Sequence, residues 1–131
     1  MAAITKQNKE LSQAEKEEAL AENVFGIAED LKLTQKHMAA LIKTTESTYK
    51  KWKAAGRIPF KPQDPVYEAI LNFLRLSYNL EAMFQSSADE KVWLESPHEV
   101  FKKSPLDYAL ESFENLIAVR QYSDYVRGLG A

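Results

Sequence analysis

The chain has 131 residues and no cysteine, which excludes disulfides, thiolate metal ligands and a cysteine nucleophile and fits a reducing compartment. With 45% apolar and 27% charged residues it reads as globular, one to two small domains. No apolar run approaches the roughly 20 residues of a membrane span and the start MAAITKQNKE lacks a signal-like apolar stretch, so no membrane partner and a cytoplasmic location are expected.

Ser12-x-x-Glu15 is a capping box, with Leu11 as the preceding apolar residue, and Leu20, Val24, Ile27, Ala28 and Leu31 come after it at helical spacing. They predict a first helix to about Lys32, after a polar tail over residues 1–11. Gly26 within it costs about 1 kcal/mol relative to alanine, which points to close packing against a neighbouring helix. Thr34 can cap a second helix, and Thr44 or Thr45 a third that Gly56 ends. The segment GRIPFKPQDP, residues 56–65, holds three of the five prolines and marks a boundary between halves.

Asp64 as N-cap and Pro65 at the first helical position open a long helix through about Phe84. Its apolar residues, among them Val66, Ile70, Leu71, Phe73, Leu74, Leu76 and Leu80, fall on more than one face. Such a helix is buried on several sides, at the centre of the monomer or across a homodimer contact. Three helix starts come next: Ser87-x-x-Glu90, Ser96-Pro97-x-Glu99 and Ser104-Pro105-x-Asp107. A final helix runs from about Ser112 to Arg127, with Gly128 placed to end it. No segment has the pattern of a strand, so the expected fold class is all-α, with one helical domain over residues 12–60 and another over 64–131.

The stretch TQKHMAALIKTTESTYKKW, Thr34 to Trp52, orders its residues as a helix-turn-helix does. Met38, Ala39 and Ile42 face inward from one helix, Tyr49 and Trp52 from the next, and the short polar turn lies between. Thr45, Glu46, Ser47, Thr48, Lys50 and Lys51 then face outward, where they can reach base edges and phosphates, and Gln35 at the start of the preceding helix is placed for a phosphate. The alternative is an ordinary pair of packed helices with a basic surface. Charge agrees with DNA as a partner: residues 23–62 carry eight basic against three acidic side chains, whereas residues 63–131 carry six against eleven and the net charge of the chain is only −2. Lys43 occupies the turn position where glycine is usual because the backbone there often has positive φ, and Thr44 stands where a buried aliphatic is usual.

Groups for catalysis are sparse. His37 and His98 are far apart without companions at metal-ligand spacing, so no metal is expected. The acidic pairs Glu17-Glu18 and Asp89-Glu90 sit where they complement helix dipoles. Trp52 is at core spacing. The chain reads as a non-enzyme, without a cofactor or small-molecule substrate.

Residues 24–56 resemble the helix-turn-helix of the Xre family, and residues 92–131 resemble the toxin-binding domain shared by the Xre, MbcA and ParS antitoxins. The second resemblance is carried by WLESPHEVF (Trp93 to Phe101), SPLDYAL (Ser104 to Leu110) and RGLGA (Arg127 to Ala131). Between Pro97 and Pro105 the family often has a glycine pair, where this chain has Phe101-Lys102-Lys103. At the start of the final helix it often has another glycine, where this chain has Ser112-Phe113-Glu114. The resemblance implies an antitoxin of a type II pair, usually dimeric, whose partner is a RES-domain toxin that attacks NAD or uses it for ADP-ribosylation. It implies that the C-terminal domain, through Arg127, Gly128, Leu129, Gly130 and Ala131, obstructs the toxin's active-site cleft, and that the helix-turn-helix binds the operon's own promoter and represses it. A stand-alone transcription regulator of the same architecture is the alternative.

Overall fold

A computed structural model describes residues 10–128. Seven helices succeed one another: α1 (Gln13–Asp30), α2 (Gln35–Leu41), α3 (Glu46–Ala55), α4 (Pro65–Met83), α5 (Ser87–Glu95), α6 (Pro105–Glu111) and α7 (Phe113–Val126). Among the described residues there is no strand, only an isolated antiparallel bridge between His98 and Lys103, so the fold is all-α. No described helix is long and apolar enough to cross a membrane.

Local chemistry sets most of the boundaries. The hydroxyl of Ser12 accepts from the Glu15 N–H at 3.1 Å while the Glu15 carboxylate accepts from the Ser12 N–H at 3.0 Å, satisfying two otherwise orphaned donors. Thr34, Thr45, Asp64, Ser104 and Ser112 cap α2, α3, α4, α6 and α7, each contributing about 1 kcal/mol. Of Thr44 and Thr45, it is Thr45 that caps. Leu11, half exposed, makes no staple.

Two start signals act differently from expectation. The cap of α5 is Ser86, one residue earlier than Ser87, and its hydroxyl accepts from the Asp89 N–H at 3.1 Å. Ser96-Pro97-x-Glu99 starts no helix. The Ser96 hydroxyl instead donates back to the Val92 carbonyl, closing α5, and His98 organises a tight loop. Its backbone N–H donates to the Lys103 carbonyl at 3.0 Å and its Nδ1 accepts from the Val100 N–H at 3.1 Å. Lys102, at φ 66°, takes the left-handed turn of this loop.

The first three helices end in one way. A left-handed residue stands after the last turn: Lys32 at φ 53°, Lys43 at 64° and Gly56 at 70°. The next N–H reaches back five residues, from Leu33 to Ala28, Thr44 to Ala39 and Arg57 to Trp52, at 2.9, 2.9 and 3.2 Å. Only the third uses glycine. The left-handed conformation costs the lysines roughly 1–2 kcal/mol each.

The core is one apolar cluster, drawn from residues on both sides of the proline-rich segment, from Ala21 to Val119. Helix α4 is its centre: Ala69, Ile70, Phe73, Leu76 and Leu80 are buried, and α4 packs against α1, α2, α5 and, most extensively, α7. Its outer stripe remains accessible at Leu71, Arg75 and Tyr78. The proline-rich segment is stitched to α1. Ile58 is fully buried and donates its N–H to the Glu17 carbonyl at 3.2 Å, and Arg57 pairs with the Glu17 carboxylate at 2.9 Å. Hydrogen bonds from Gln13 and Arg57 hold that carboxyl below its ordinary range. Gly26 is exposed, and a Cβ there would meet nothing within 4 Å. The expectation of close packing at Gly26 is therefore wrong: the position faces solvent.

Candidate nucleic-acid and protein interfaces

Helices α2 and α3 present the first candidate surface. Met38, Ala39, Leu41 and Ile42 from α2 and its end, with Tyr49 from α3, are buried, while Trp52 is half-buried against the same cluster. Tyr49 meets the Phe25 ring edge-on at 5.1 Å, and burial pushes its phenol up to about 12. Fixing Tyr49 and Trp52 inward turns Glu46, Ser47, Lys50 and Lys51 outward, and all four are exposed. Thr45 and Thr48 are committed to each other: the Thr48 N–H donates to the Thr45 hydroxyl at 3.1 Å and the two hydroxyls bond at 3.0 Å. Ser47 is the unengaged hydroxyl of that turn among the described residues. Gln35, half-buried, is the first residue of α2.

Pairing decides the electrostatics of this face. Lys36, Lys43, Lys50 and Lys51 are exposed, and none is in an ion pair among the described residues. Arg57, from the same basic block, is spent on Glu17. Glu46 stands in the first turn of α3, complementing the partial positive charge of the helix start.

The second candidate surface lies where α7 ends against α4, and its charges are handled in the opposite way. Asp124 is buried to 5% exposure. It accepts from Asn79 Nδ2 at 2.7 Å, Arg75 Nε at 3.1 Å and Arg120 Nη1 at 2.5 Å. Burial, the largest single influence, raises the Asp124 carboxyl, but the hydrogen bonds from Asn79, Arg120 and Arg75 together outweigh it and hold the group below the usual carboxylate range. Arg120 Nε donates to Asn72 Oδ1 at 3.0 Å, and Asn79 Nδ2 also reaches the Ser123 hydroxyl at 2.7 Å. Arg127 Nη1 donates to Asn79 Oδ1 at 2.7 Å, so the last residue before Gly128 is moored to the central helix. Gly128 stands next at φ 80°.

Of the five C-terminal residues expected at a toxin cleft, Arg127 and Gly128 are placed as above; Leu129, Gly130 and Ala131 lie outside the described residues. Sequence reasoning missed Asn72, Arg75, Asn79, Arg120, Ser123 and Asp124. A signal was present: polar side chains at 72, 75 and 79 recur at helical spacing along one stripe of an otherwise apolar helix.

Beside this network stands a cluster of rings. His98 lies between Trp93, Phe101 and Tyr122, with centroids at 5.9, 5.2 and 5.1 Å, and Tyr122 continues to Tyr125 at 6.5 Å. Tyr125 and Val126 are exposed. The WLESPHEVF segment and the end of α7 are thus joined by edge-on ring contacts of His98 and Phe101 with Tyr122, each worth about 0.5–1.5 kcal/mol.

No protein-family profile and no curated protein sequence matches the chain. A solved structure shares its fold. The chain is similar to one in the crystal structure of the M. tuberculosis MbcT–MbcA toxin–antitoxin complex, with a TM-score of 0.55 and 18% identity, over 82% of this chain and 95% of that one.

Proposed function

We propose that the chain is the antitoxin of a type II toxin–antitoxin pair, without catalytic chemistry of its own. In this reading residues 64–131 bind a RES-domain toxin, one that consumes NAD or transfers its ADP-ribose, and the end of the chain from Arg127 to Ala131 occludes its active-site cleft. The α2–α3 face, paired in a homodimer, binds the promoter of the same operon as a helix-turn-helix and represses it.

The observation that carries the reading is the shared fold, which extends over nearly the whole of the matched chain from a toxin–antitoxin complex. Two features of the molecule support it. The Arg127–Asn79 contact moors the start of the terminal segment, so a cleft-filling end would leave the body from a fixed point and lose less ordering entropy on docking. The unpaired lysines of α2 and α3 are available to displace counterions from a DNA backbone.

Co-expression with a RES-domain toxin encoded beside it tests the proposal. The full chain restores growth, and a chain lacking Arg127 to Ala131 fails to do so while keeping its helical circular dichroism. If the truncated chain neutralises as well as the full one, occlusion by the chain end is wrong; if the full chain neutralises no adjacent toxin, the antitoxin reading itself falls.

A further inference from the structure

A cavity of about 410 Å³ opens between α1, α4 and α5. Ile27 and Leu31 from α1 and Phe84 at the end of α4 give it an apolar wall. Three carboxylates line it, Asp30 at the end of α1, Glu81 on α4 and Glu90 on α5. Glu90 is the unusual one: it is only 8% exposed, yet its carboxylate has no hydrogen-bond or ion-pair partner among the described residues. No buried side-chain oxygen among the described residues lacks a hydrogen-bond partner, so the Glu90 carboxylate reaches water through the cavity and presents its charge there.

Lys91, the next residue in the chain, does not neutralise it. Lys91 Nζ donates to the carbonyls of Leu31 and Lys32 at 3.0 and 3.2 Å and pairs with Glu95 at 3.0 Å, so it closes the end of α1. Nor are the carboxylates gathered for a metal: no group of three His, Asp or Glu side chains among the described residues is close enough to hold one. Burial, and then the negative charges of Glu81 and Asp30, push the Glu90 carboxyl above its ordinary range.

We propose that this cavity is a binding site for an organic cation, a guanidinium or primary ammonium carried on an aliphatic stem. The head sits against Glu90 between Asp30 and Glu81, and the stem lies along Ile27 and Leu31, with the ring of Phe84 offering its face to the charge. The volume has room for a group of the size of an arginine or lysine side chain together with water. The site is independent of the toxin and DNA readings.

The test is titration of the isotope-labelled full chain with agmatine, monitored by amide NMR. Saturable shifts are expected at residues lining the cavity, and n-butanol, neutral and of similar girth, produces none. Glu90→Gln removes a charge that has no partner, so the variant folds, and it weakens agmatine binding at least about tenfold, as the loss of one close charge pair does. Glu18→Gln, at an exposed carboxylate elsewhere on α1, leaves binding unchanged. N-acetyl-arginine methylamide separates the sources: binding as tight as agmatine's marks the site as a receptor for a side chain of a protein partner, and binding of agmatine alone marks it as a site for a free amine. Absence of saturable shifts, or equal losses in the Glu90 and Glu18 variants, overturns the proposal.

Discussion

The α2–α3 face and the α4–α7 seam use positive charge for different ends. On the first, lysines stand exposed and unpaired around a core of Met38, Ile42 and Tyr49, so their charge is outside the folding balance and available to a ligand. Along the second, arginines are the fixed parts: Arg75 and Arg120 converge on one buried carboxylate, and Arg127 is tied to Asn79. Side-chain chemistry explains the difference. A planar guanidinium can bond a carboxylate and an amide at once in defined directions, whereas an ammonium on a flexible stem is best left hydrated until a phosphate displaces the water. Removing charge therefore costs stability at the seam and ligand affinity at the face.

The largest effect is expected from Asp124→Ala. It strips the shared acceptor from Arg75, Arg120 and Asn79, leaving two guanidiniums close together. Complete burial would make such a loss about 3–5 kcal/mol; with the Arg75 side chain about half exposed, water recovers part of it, and about 2 kcal/mol is expected, read from the midpoint of urea unfolding. The folded-state pKa of Asp124 is depressed, so its stabilising contribution is present above the unfolded carboxyl range and is lost as pH falls through the folded value. The difference between wild type and variant should accordingly shrink in acid. A difference that stays constant with pH would show that Asp124 acts by packing rather than charge.

At the face the balance reverses. Lys50→Ala with Lys51→Ala should leave the unfolding midpoint within about 0.5 kcal/mol of wild type, because neither side chain is paired or buried. The same double variant should bind promoter DNA more weakly, and the slope of log K against log salt should fall by about two units, one for each phosphate that a lysine no longer neutralises. A double variant with unchanged affinity and slope would remove these lysines from any DNA interface.

The ends of helices are legible in the sequence because a cap is a local event. Ser12, Thr34, Thr45, Asp64, Ser104 and Ser112 each bond an N–H two or three residues on, within the span a motif covers. Ser96-Pro97 fails as a start because a cap motif is blind to the residues downstream of it: His98 seizes the Lys103 carbonyl and the Val100 N–H, and the chain turns before a helix can extend. The core face of α4 is also legible from spacing, and the helix stands at the centre of the monomer. The candidate sites are less so. Glu46, Ser47, Lys50 and Lys51 lie outward as the helical period requires, but the mutual bond of Thr45 and Thr48 and the capture of Arg57 by Glu17 depend on geometry. The Asp124 network joins residues on α4 to residues on α7, and periodicity within either helix is silent about which arginine meets which acid. Gly26 misleads because a glycine in a helix suggests contact, and here there is none.

A smaller effect sharpens the comparison at the turn of the cationic face. Lys43 holds a left-handed backbone where glycine would be relaxed, so Lys43→Gly relieves about 1 kcal/mol of conformational strain and gives back part of it through the greater freedom of the unfolded chain. A net gain of roughly 0.5 kcal/mol is expected in the unfolding midpoint, with DNA affinity lowered by the removal of one cation. If affinity is unchanged, Lys43 serves only the turn.

The smallest effect tests the buried acid that has no partner, as a foil to Asp124. Glu90 is pushed up by burial and by the charges of Glu81 and Asp30, so in the free protein its ionised form opposes folding. The opposition is full above the folded pKa, and it is relieved as pH falls through that value because the folded state then takes up the proton first. Glu90→Gln should therefore raise the melting temperature slightly at neutral pH, with the gain vanishing in mild acid. Asp124→Ala has the contrary sign at neutral pH and fades in the same direction. Two buried carboxylates in one small fold, one surrounded by donors and one by other acids, should thus move the stability of the chain oppositely. A melting temperature lowered by Glu90→Gln at neutral pH would mean that a bond to this carboxylate stabilises the free protein, and the contrast between the two acids would dissolve.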